Sequence, residues 1–257
     1  MIGRVGTAAG LPGSACLIAP AKLTLGLRVV GVRDDGYHLI DAEMVSLDLH
    51  DVIELSPGSG TVLTGGAAAT VAAGPDDLVQ RALVTVRVER AARVHKRIPA
   101  GAGLGGGSSD AAAVLRWGGV DDLATAVALG ADVGFCLRGG RAHVSGIGDV
   151  VDRLPFEPRT VTLITPPIHC PTPAVYRRWD ELGGPRDPSG NDLTPAAIDL
   201  FPDLVRWRDD LARASGGAPV LAGSGSTWFV DGAHPGEGRV VAHTVPEGWA
   251  GPDLAEG

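Results

Sequence analysis

Lysine is almost missing from this chain. Of 22 basic residues among 257, only Lys22 and Lys96 are lysines and the other 20 are arginines. With 30 acidic residues the formal net charge is −8, and no basic tail is present. That balance argues against a general nucleic-acid binder, whose affinity comes from neutralised phosphates. Cysteine is scarce too: Cys16, Cys136 and Cys170 are an odd set at wide spacing, with no C-x-x-C pair. This excludes a disulfide framework and a cysteine zinc site. The seven histidines contain no H-E-x-x-H pair, so a zinc hydrolase has no recognisable ligand set. No apolar run approaches the ~18 residues of a membrane span. The Gly- and Ala-rich residues 1–14 lack the continuous apolar core of a secretory signal. The expectation is a soluble cytoplasmic protein with neither a nucleic-acid nor a membrane partner.

What the chain has in excess is glycine, 38 residues, about twice the usual ~7% share. No G-X-Y period accompanies it, so collagen is excluded. Hydrophobic content of 44% against 20% charged residues excludes wholesale disorder, and the length suits one large domain or two modest ones. An anionic ligand must be held by local donors, and glycine-rich loops can supply backbone N–H groups.

Partial alternation at Leu23, Leu25, Leu27 and Val29 predicts a strand over 16–30. Residues 33–36 read as a turn, 38–55 as one or two strands and 58–74 as a weak strand broken by Gly and Ala. A helix is expected from about Asp76, with Asp76 and Asp77 in its first turn, where the helix dipole favours acids. Leu78, Ala82, Leu83 and Val86 fall on one face of it. Residues 94–98 read as a strand before the loop 100–107. Ser108, Ser109 and Asp110 are N-cap types ahead of a helix over 111–117. A helix over 121–129 ended by Gly130 and a strand over 142–145 follow. Residues 152–160 hold two prolines and read as a junction between domains at 15–154 and 155–246. Beyond it come a strand over 161–165, helices over 174–182 and 202–214, and strands over 220–222, 227–230 and 239–245. Arg87, Arg90 and Arg93 read as one solvated helix face. The element order indicates an α+β fold, not the regular βαβ alternation of a doubly wound sheet.

Gly101-x-Gly103-x-x-Gly106 formally matches the dinucleotide fingerprint, which is weak alone. The segment before it, Arg93 to Pro99, is charged and ends in proline, where a Rossmann turn needs a buried apolar strand. No Lys-Ser/Thr follows, so it is not a Walker A loop, and no H-R-D or D-F-G motif follows either. Glycines permit close backbone approach, and consecutive N–H groups at a helix start make an anion site. Ser108 and Ser109 add hydroxyls for phosphate or a magnesium ion. A plain Gly-rich turn with a serine cap explains the loop about as well when it is taken alone.

Two other segments change that balance. The loop Lys96 to Ala113, K-R-I-P-A-G-A-G-L-G-G-G-S-S-D-A-A-A, resembles the phosphate motif of the GHMP kinases. The superfamily's other two motifs stand in order, A-P-A-K-L-T-L from Ala19 to Leu25 and L-A-G-S-G-S-T from Leu221 to Thr227. G-V-R-D-D-G-Y-H ending at His38, G-A-D-V-G-F ending at Phe135 and Asn191-Asp192-Leu193 resemble one branch of it, the 4-diphosphocytidyl-2-C-methyl-D-erythritol kinases.

The resemblance implies a two-domain α+β fold, the N-terminal domain like the second domain of ribosomal protein S5 and the C-terminal one ferredoxin-like. It implies ATP-dependent phosphorylation of the 2-hydroxyl of a cytidyl-diphosphate alcohol in the non-mevalonate route to isoprenoid precursors, with Mg²⁺. Lys22 and Asp132 match the catalytic pair. Gly101, Gly103, Gly105, Gly106, Gly107, Ser108 and Ser109 match the ATP loop, with Ser108 or Ser109 on Mg²⁺. Tyr37, His38 and Tyr176 match the cytidine site, and Thr24, Gly223, Ser224 and Gly225 complete the acceptor side. Lys96 reads as surface-solvated at least as readily as phosphate-bound. Departures are Thr24 where the family commonly has Asn, Gly134 where it has Pro, and trimmed segments before Val94 and after Trp117. Gly134 is expected to loosen its turn. Another GHMP small-molecule kinase, or a weakly active or non-catalytic nucleotide-binding relative, stays open as an alternative.

Overall fold

The computed structural model describes residues 13–66 and 77–252. Residues 1–12, Asp76 and the 67–74 part of the expected weak strand lie outside them. Two long strands, β1 (Ala15–Val32) and β2 (His38–Ser56), form an antiparallel hairpin that is the spine of the molecule. Their connection is the expected turn: Gly36 adopts φ +86°, and the Arg33 N–H donates to the Tyr37 carbonyl at 2.8 Å. One edge of β2 is taken by β1. The other is shared by β4 (Ala91–His95), β5 (Arg141–Gly146) and β10 (Arg239–Val245). β3 (Thr61–Thr64) runs parallel to β4, and β6 (Val150–Arg153) lies against β5.

The C-terminal half adds β7 (Thr160–Ile164), β8 (Val220–Leu221) and β9 (Trp228–Asp231). The order β10-β7-β9-β8 with every neighbour antiparallel is that of a ferredoxin-like βαββαβ unit. One crossover departs from it, since β9 reaches β10 through residues 232–238 without a helix. Because β10 also pairs with β2 at Thr244↔Leu47 and Val245↔Ser46, the sheets of the two halves are continuous.

Among the described residues, seven helices pack on these strands: α1 (Leu78–Thr85), α2 (Gly106–Trp117), α3 (Leu123–Leu129), α4 (Ala131–Arg138), α5 (Thr172–Glu181), α6 (Thr194–Leu200) and α7 (Leu204–Ser215). α1 starts at Leu78, and Asp77 caps it instead of lying in its first turn: its carboxylate accepts from the Val79 N–H at 3.0 Å. Val79 rather than Leu78 joins Ala82, Leu83 and Val86 in the core. α2 begins at Gly106, ahead of the serines, since Gly105 (φ +65°) turns the chain straight into it. Ser108, Ser109 and Asp110 therefore lie inside its first turns instead of capping it. α4 and α6 go beyond the sequence expectation. In α4 Val133 to Leu137 are all buried, so no polar face marks a helical period. The three arginines do not share a helix: Arg87 follows α1 at φ +58°, Arg90 is in a loop and Arg93 is on β4.

β2 feeds two apolar cores. Ala42, Met44, Ile53 and Leu55 join the larger, under α1, α2 and α4, while Val45 and Leu47 meet Leu23, Leu104, Leu163 and Phe229 in the smaller. Each fully buried Leu or Phe contributes about 1.5–3 kcal/mol. The smaller core joins β1, the glycine loop and the C-terminal sheet, so the parts that carry the motifs are packed on one another. No helix among the described residues is long and apolar enough to cross a membrane.

Candidate active site

Lys22 sits on β1 where the pairing with β2 slips, between Pro20 and Lys22 and again between Thr24 and Gly26. Such bulges re-aim side chains. Its ammonium lies 3.3 Å from Asp132 Oδ2, and the two side chains are 6% and 39% exposed. Asp132 stands in the first turn of α4, where the helix dipole favours a carboxylate. Lys22 Nζ also donates to Thr24 Oγ1 at 3.3 Å, so threonine at that position serves the lysine. The two residues, 110 apart in sequence, both line a cavity of about 690 Å³.

The glycine loop separates that cavity from a second, of about 380 Å³, and Gly103, Gly105 and Ser108 line both. Gly101, Gly106 and Gly107 line the second cavity only. Close approach explains the glycines. A Cβ at Gly105 would stand 2.6 Å from Lys22 Cγ, and one at Gly103 would stand 2.3 Å from the Ala222 carbonyl oxygen. Both residues also have positive φ. Gly103→Ala should therefore cost at least the roughly 1–2 kcal/mol of a left-handed alanine, push the 221–227 loop away and weaken nucleotide binding. Urea unfolding with nucleotide titration measures both effects.

The structure separates the two serines. Ser108 faces the cavities, whereas Ser109 is buried and its hydroxyl donates to the Pro20 carbonyl at 2.5 Å. Ser109 is thus spent on tying α2 to β1 and lines neither cavity. Lys96 also corrects its expectation. It is 5% exposed, paired with Asp51 and, at 2.7 Å, with Asp110. Asp51 further accepts from the backbone N–H groups of Arg97 (2.5 Å) and Ile98 (2.9 Å). One buried triad so clamps the loop's entrance to β2 and its exit to α2. Burial pulls Lys96 down, but Asp110 and Asp51 together hold it above the ordinary lysine value. Burial pushes Asp110 up to about 7, against the pull of Lys96.

Tyr37, His38 and Tyr176 also line the larger cavity. Tyr37 is 60% exposed. The His38 and Tyr176 rings lie 4.6 Å apart at 35°. Burial, then the charge of Asp132, pushes the Tyr176 phenol up, keeping it neutral. Gly223 and Ser224 close the cavity from the C-terminal half. Gly225 is set back, its Cβ position 3.4 Å from Cys170 Sγ, so it shapes the loop without lining the cavity.

Residues of the N-D-L motif, given no site role from the sequence, hold these in place. Asn191 Nδ2 donates to the Leu221 and Gly223 carbonyls at 2.8 and 2.7 Å. The buried Asp192 accepts from Arg28, Arg186 and the Val29 N–H. The N-D-L motif was visible in the sequence, but its partners lie on β1 and in the 221–227 loop. Gly134 corrects another expectation. It is inside α4, where a Cβ would stand 2.9 Å from Val127 Cγ2, so it tightens the packing of α3 on α4.

Comparison with known proteins agrees with this geometry. The model of the GHMP kinases N terminal domain matches residues 68–151. The 4-diphosphocytidyl-2-C-methyl-D-erythritol kinase of Dinoroseobacter shibae is 36% identical, over 95% of this chain and 96% of its own. That of Paracoccus denitrificans is 36% identical over 90% and 93%. A solved structure of 4-(cytidine 5'-diphospho)-2C-methyl-D-erythritol kinase superposes with a TM-score of 0.72 at 32% identity, covering 90% of this chain and 99% of that one. With such identity sustained along nearly the whole length, the chain belongs to the 4-diphosphocytidyl-2-C-methyl-D-erythritol kinase family of GHMP kinases.

Proposed function

We propose that this chain transfers the γ-phosphoryl group of ATP to the 2-hydroxyl of 4-diphosphocytidyl-2-C-methyl-D-erythritol, in the cytoplasm, through an N-terminal domain at 15–154 and a C-terminal domain at 155–246. The observation that carries it is the shared wall: a glycine loop with a nucleotide-sized cavity behind it and the Lys22–Asp132 pair, with an aromatic-ended cavity, in front. The chemistry needs little nucleophilic push until late, so positioning and charge dominate. The acceptor hydroxyl attacks the γ-phosphorus and the bond to the ADP oxygen breaks. Asp132 takes the hydroxyl proton, and the Lys22 ammonium stabilises the alkoxide character and orients the carboxylate. A compact ammonium suits that role, which an arginine fork does not fill. The N–H groups at the start of α2 receive the phosphates.

Mg²⁺ fits the donor chemistry of the loop. Ser108 offers a hard oxygen on the wall between the cavities, and no cluster of three His, Cys, Asp or Glu is present among the described residues. Mg²⁺ commonly takes one or two protein ligands and completes its shell with water and substrate phosphates. Bound there, it would neutralise phosphate charge, with Ser108 as its ligand. At the acceptor end, Tyr37 and Tyr176 offer aromatic faces to cytosine and Arg177 lines the same cavity as a cation for the diphosphate.

Incubation of the protein with ATP, Mg²⁺ and the cytidyl substrate should give ADP and a product heavier by one phosphate in the mass spectrum. Absence of that product, with turnover of mevalonate or homoserine, would overturn the reading. Tyr37→Ala should raise KM for the cytidyl substrate about 10-fold, the effect of losing one base stack, and leave KM for ATP unchanged. An effect confined to ATP would contradict its place in the acceptor cavity.

A further inference from the structure

We propose that Asp180 is a positioning residue that fixes which hydrogen-bonding nitrogen His38 offers to the acceptor's pyrimidine, and so selects an amino-bearing base over an oxo-bearing one. The proposal rests on the cytidyl reading above and deepens it. Three residues of α5, Tyr176, Trp179 and Asp180, are spaced i, i+3 and i+4 and so share one face of the helix. All three hold the same ring. Tyr176 lies over His38, and Trp179 meets it edge-on at 5.7 Å and 82°. Trp179 is itself fixed by its Nε1–H, which donates to the Pro185 carbonyl at 2.9 Å. Asp180 Oδ1 stands 2.8 Å from His38 Nε2.

An ionised carboxylate has no proton to give, so Nε2 must be the donor. In the neutral imidazole Nδ1 is then an acceptor. His38, Tyr37, Tyr176 and Asp180 line one cavity. Cytosine presents an exocyclic amine, a donor, where uracil presents a carbonyl oxygen. An acceptor nitrogen pairs with the first and repels the second. Sites that hydrogen-bond a substrate group discriminate strongly against analogues lacking it. Helix α5 thereby contributes to base selection without touching the base through Asp180.

The test uses wild type, Asp180→Asn and Asp180→Ala with the cytidine- and uridine-diphosphate forms of the acceptor, together with nitrogen-15 NMR of the histidine rings in wild type. The asparagine amide can donate to Nε2 and so turn Nδ1 into a donor, while alanine releases both tautomers. Asp180 is 47% exposed at its side chain, so both variants should fold. In Asp180→Asn the cytidyl-to-uridyl ratio of kcat/KM should fall about 10- to 100-fold through KM, with KM for ATP unchanged. Wild-type His38 should show an Nε2–H and an unprotonated Nδ1. An unchanged ratio in a variant that still phosphorylates the cytidyl form overturns the proposal, as does an Nδ1–H in wild type. A wild type inactive on the cytidyl form overturns the acceptor reading instead, and the NMR result then decides the role of Asp180.

Discussion

Asp132→Asn should lower kcat by about 10²–10⁴, the range for removing a positioned acid–base group, with nucleotide affinity nearly unchanged. The amide preserves shape, and its oxygen can still accept from Lys22, so the buried ammonium keeps a partner besides Thr24. What disappears is the group proposed to take the hydroxyl proton. Nucleotide binding should be spared because the proposed phosphate seat lies across the loop, in a cavity that Asp132 does not line. Stability should move little, since the carboxylate is 39% exposed and its dipole contribution at the start of α4 is about 0.3–1 kcal/mol. Steady-state kinetics with the cytidyl substrate, beside calorimetric nucleotide titration, checks both halves. A kcat within a few-fold of wild type would remove Asp132 from the chemistry.

Lys96→Met should destabilise the fold by about 3–5 kcal/mol, the cost of leaving buried carboxylates uncompensated. In a protein of this size that lowers Tm by roughly 6–20 °C. Asp51 and Asp110 are 0% and 3% exposed and share this single ammonium. Without it Asp51 retains its two backbone donors, whereas Asp110 retains none. The loop's exit should therefore loosen first, raising KM for ATP. Asp110→Asn in the Lys96→Met background should recover part of the loss at high pH, since the amide stays neutral where an unpaired Asp110 would carry a buried charge. Urea unfolding of the three variants measures this, and a loss below ~1 kcal/mol for Lys96→Met would mean the triad is not a clamp.

Asp110 also sets a pH dependence with a definite sign. Its folded value, about 7, is above that of an unfolded aspartate, near 3.9. Between those values the folded state holds a proton that the unfolded chain has released. Its contribution to stability is therefore largest below pH ~4 and is lost as pH rises towards 7. Asp110→Asn should flatten that slope in unfolding curves taken across the same window.

The three family motifs, the turn at 33–36 and most strands were legible because each is written in contiguous residues. Turn glycines, alternation and loop composition act over a few positions. The helix α4 was not legible, as a short helix buried from Val133 to Leu137 has no polar face to set a period. Lys96 shows the other limit. Beside a glycine loop and an arginine, nothing local distinguishes a solvated lysine from a buried one, and its partners lie 45 and 14 residues away. Asp180 reads locally as an ordinary exposed acid of α5, and only His38, 142 residues distant, makes it a partner.

The near-absence of lysine takes on a sharper meaning in this light. The sequence by itself determined the family, the glycine loop and the identity of the catalytic candidates, because those depend on residue type and short spacing. Tertiary structure decided that both lysines are buried and paired, Lys22 with Asp132 beside the larger cavity and Lys96 holding the loop. It also decided that Ser108 lines the cavities while Ser109 is buried against β1. Burial and ion pairing are properties of the packed core, and no window of neighbouring residues encodes them.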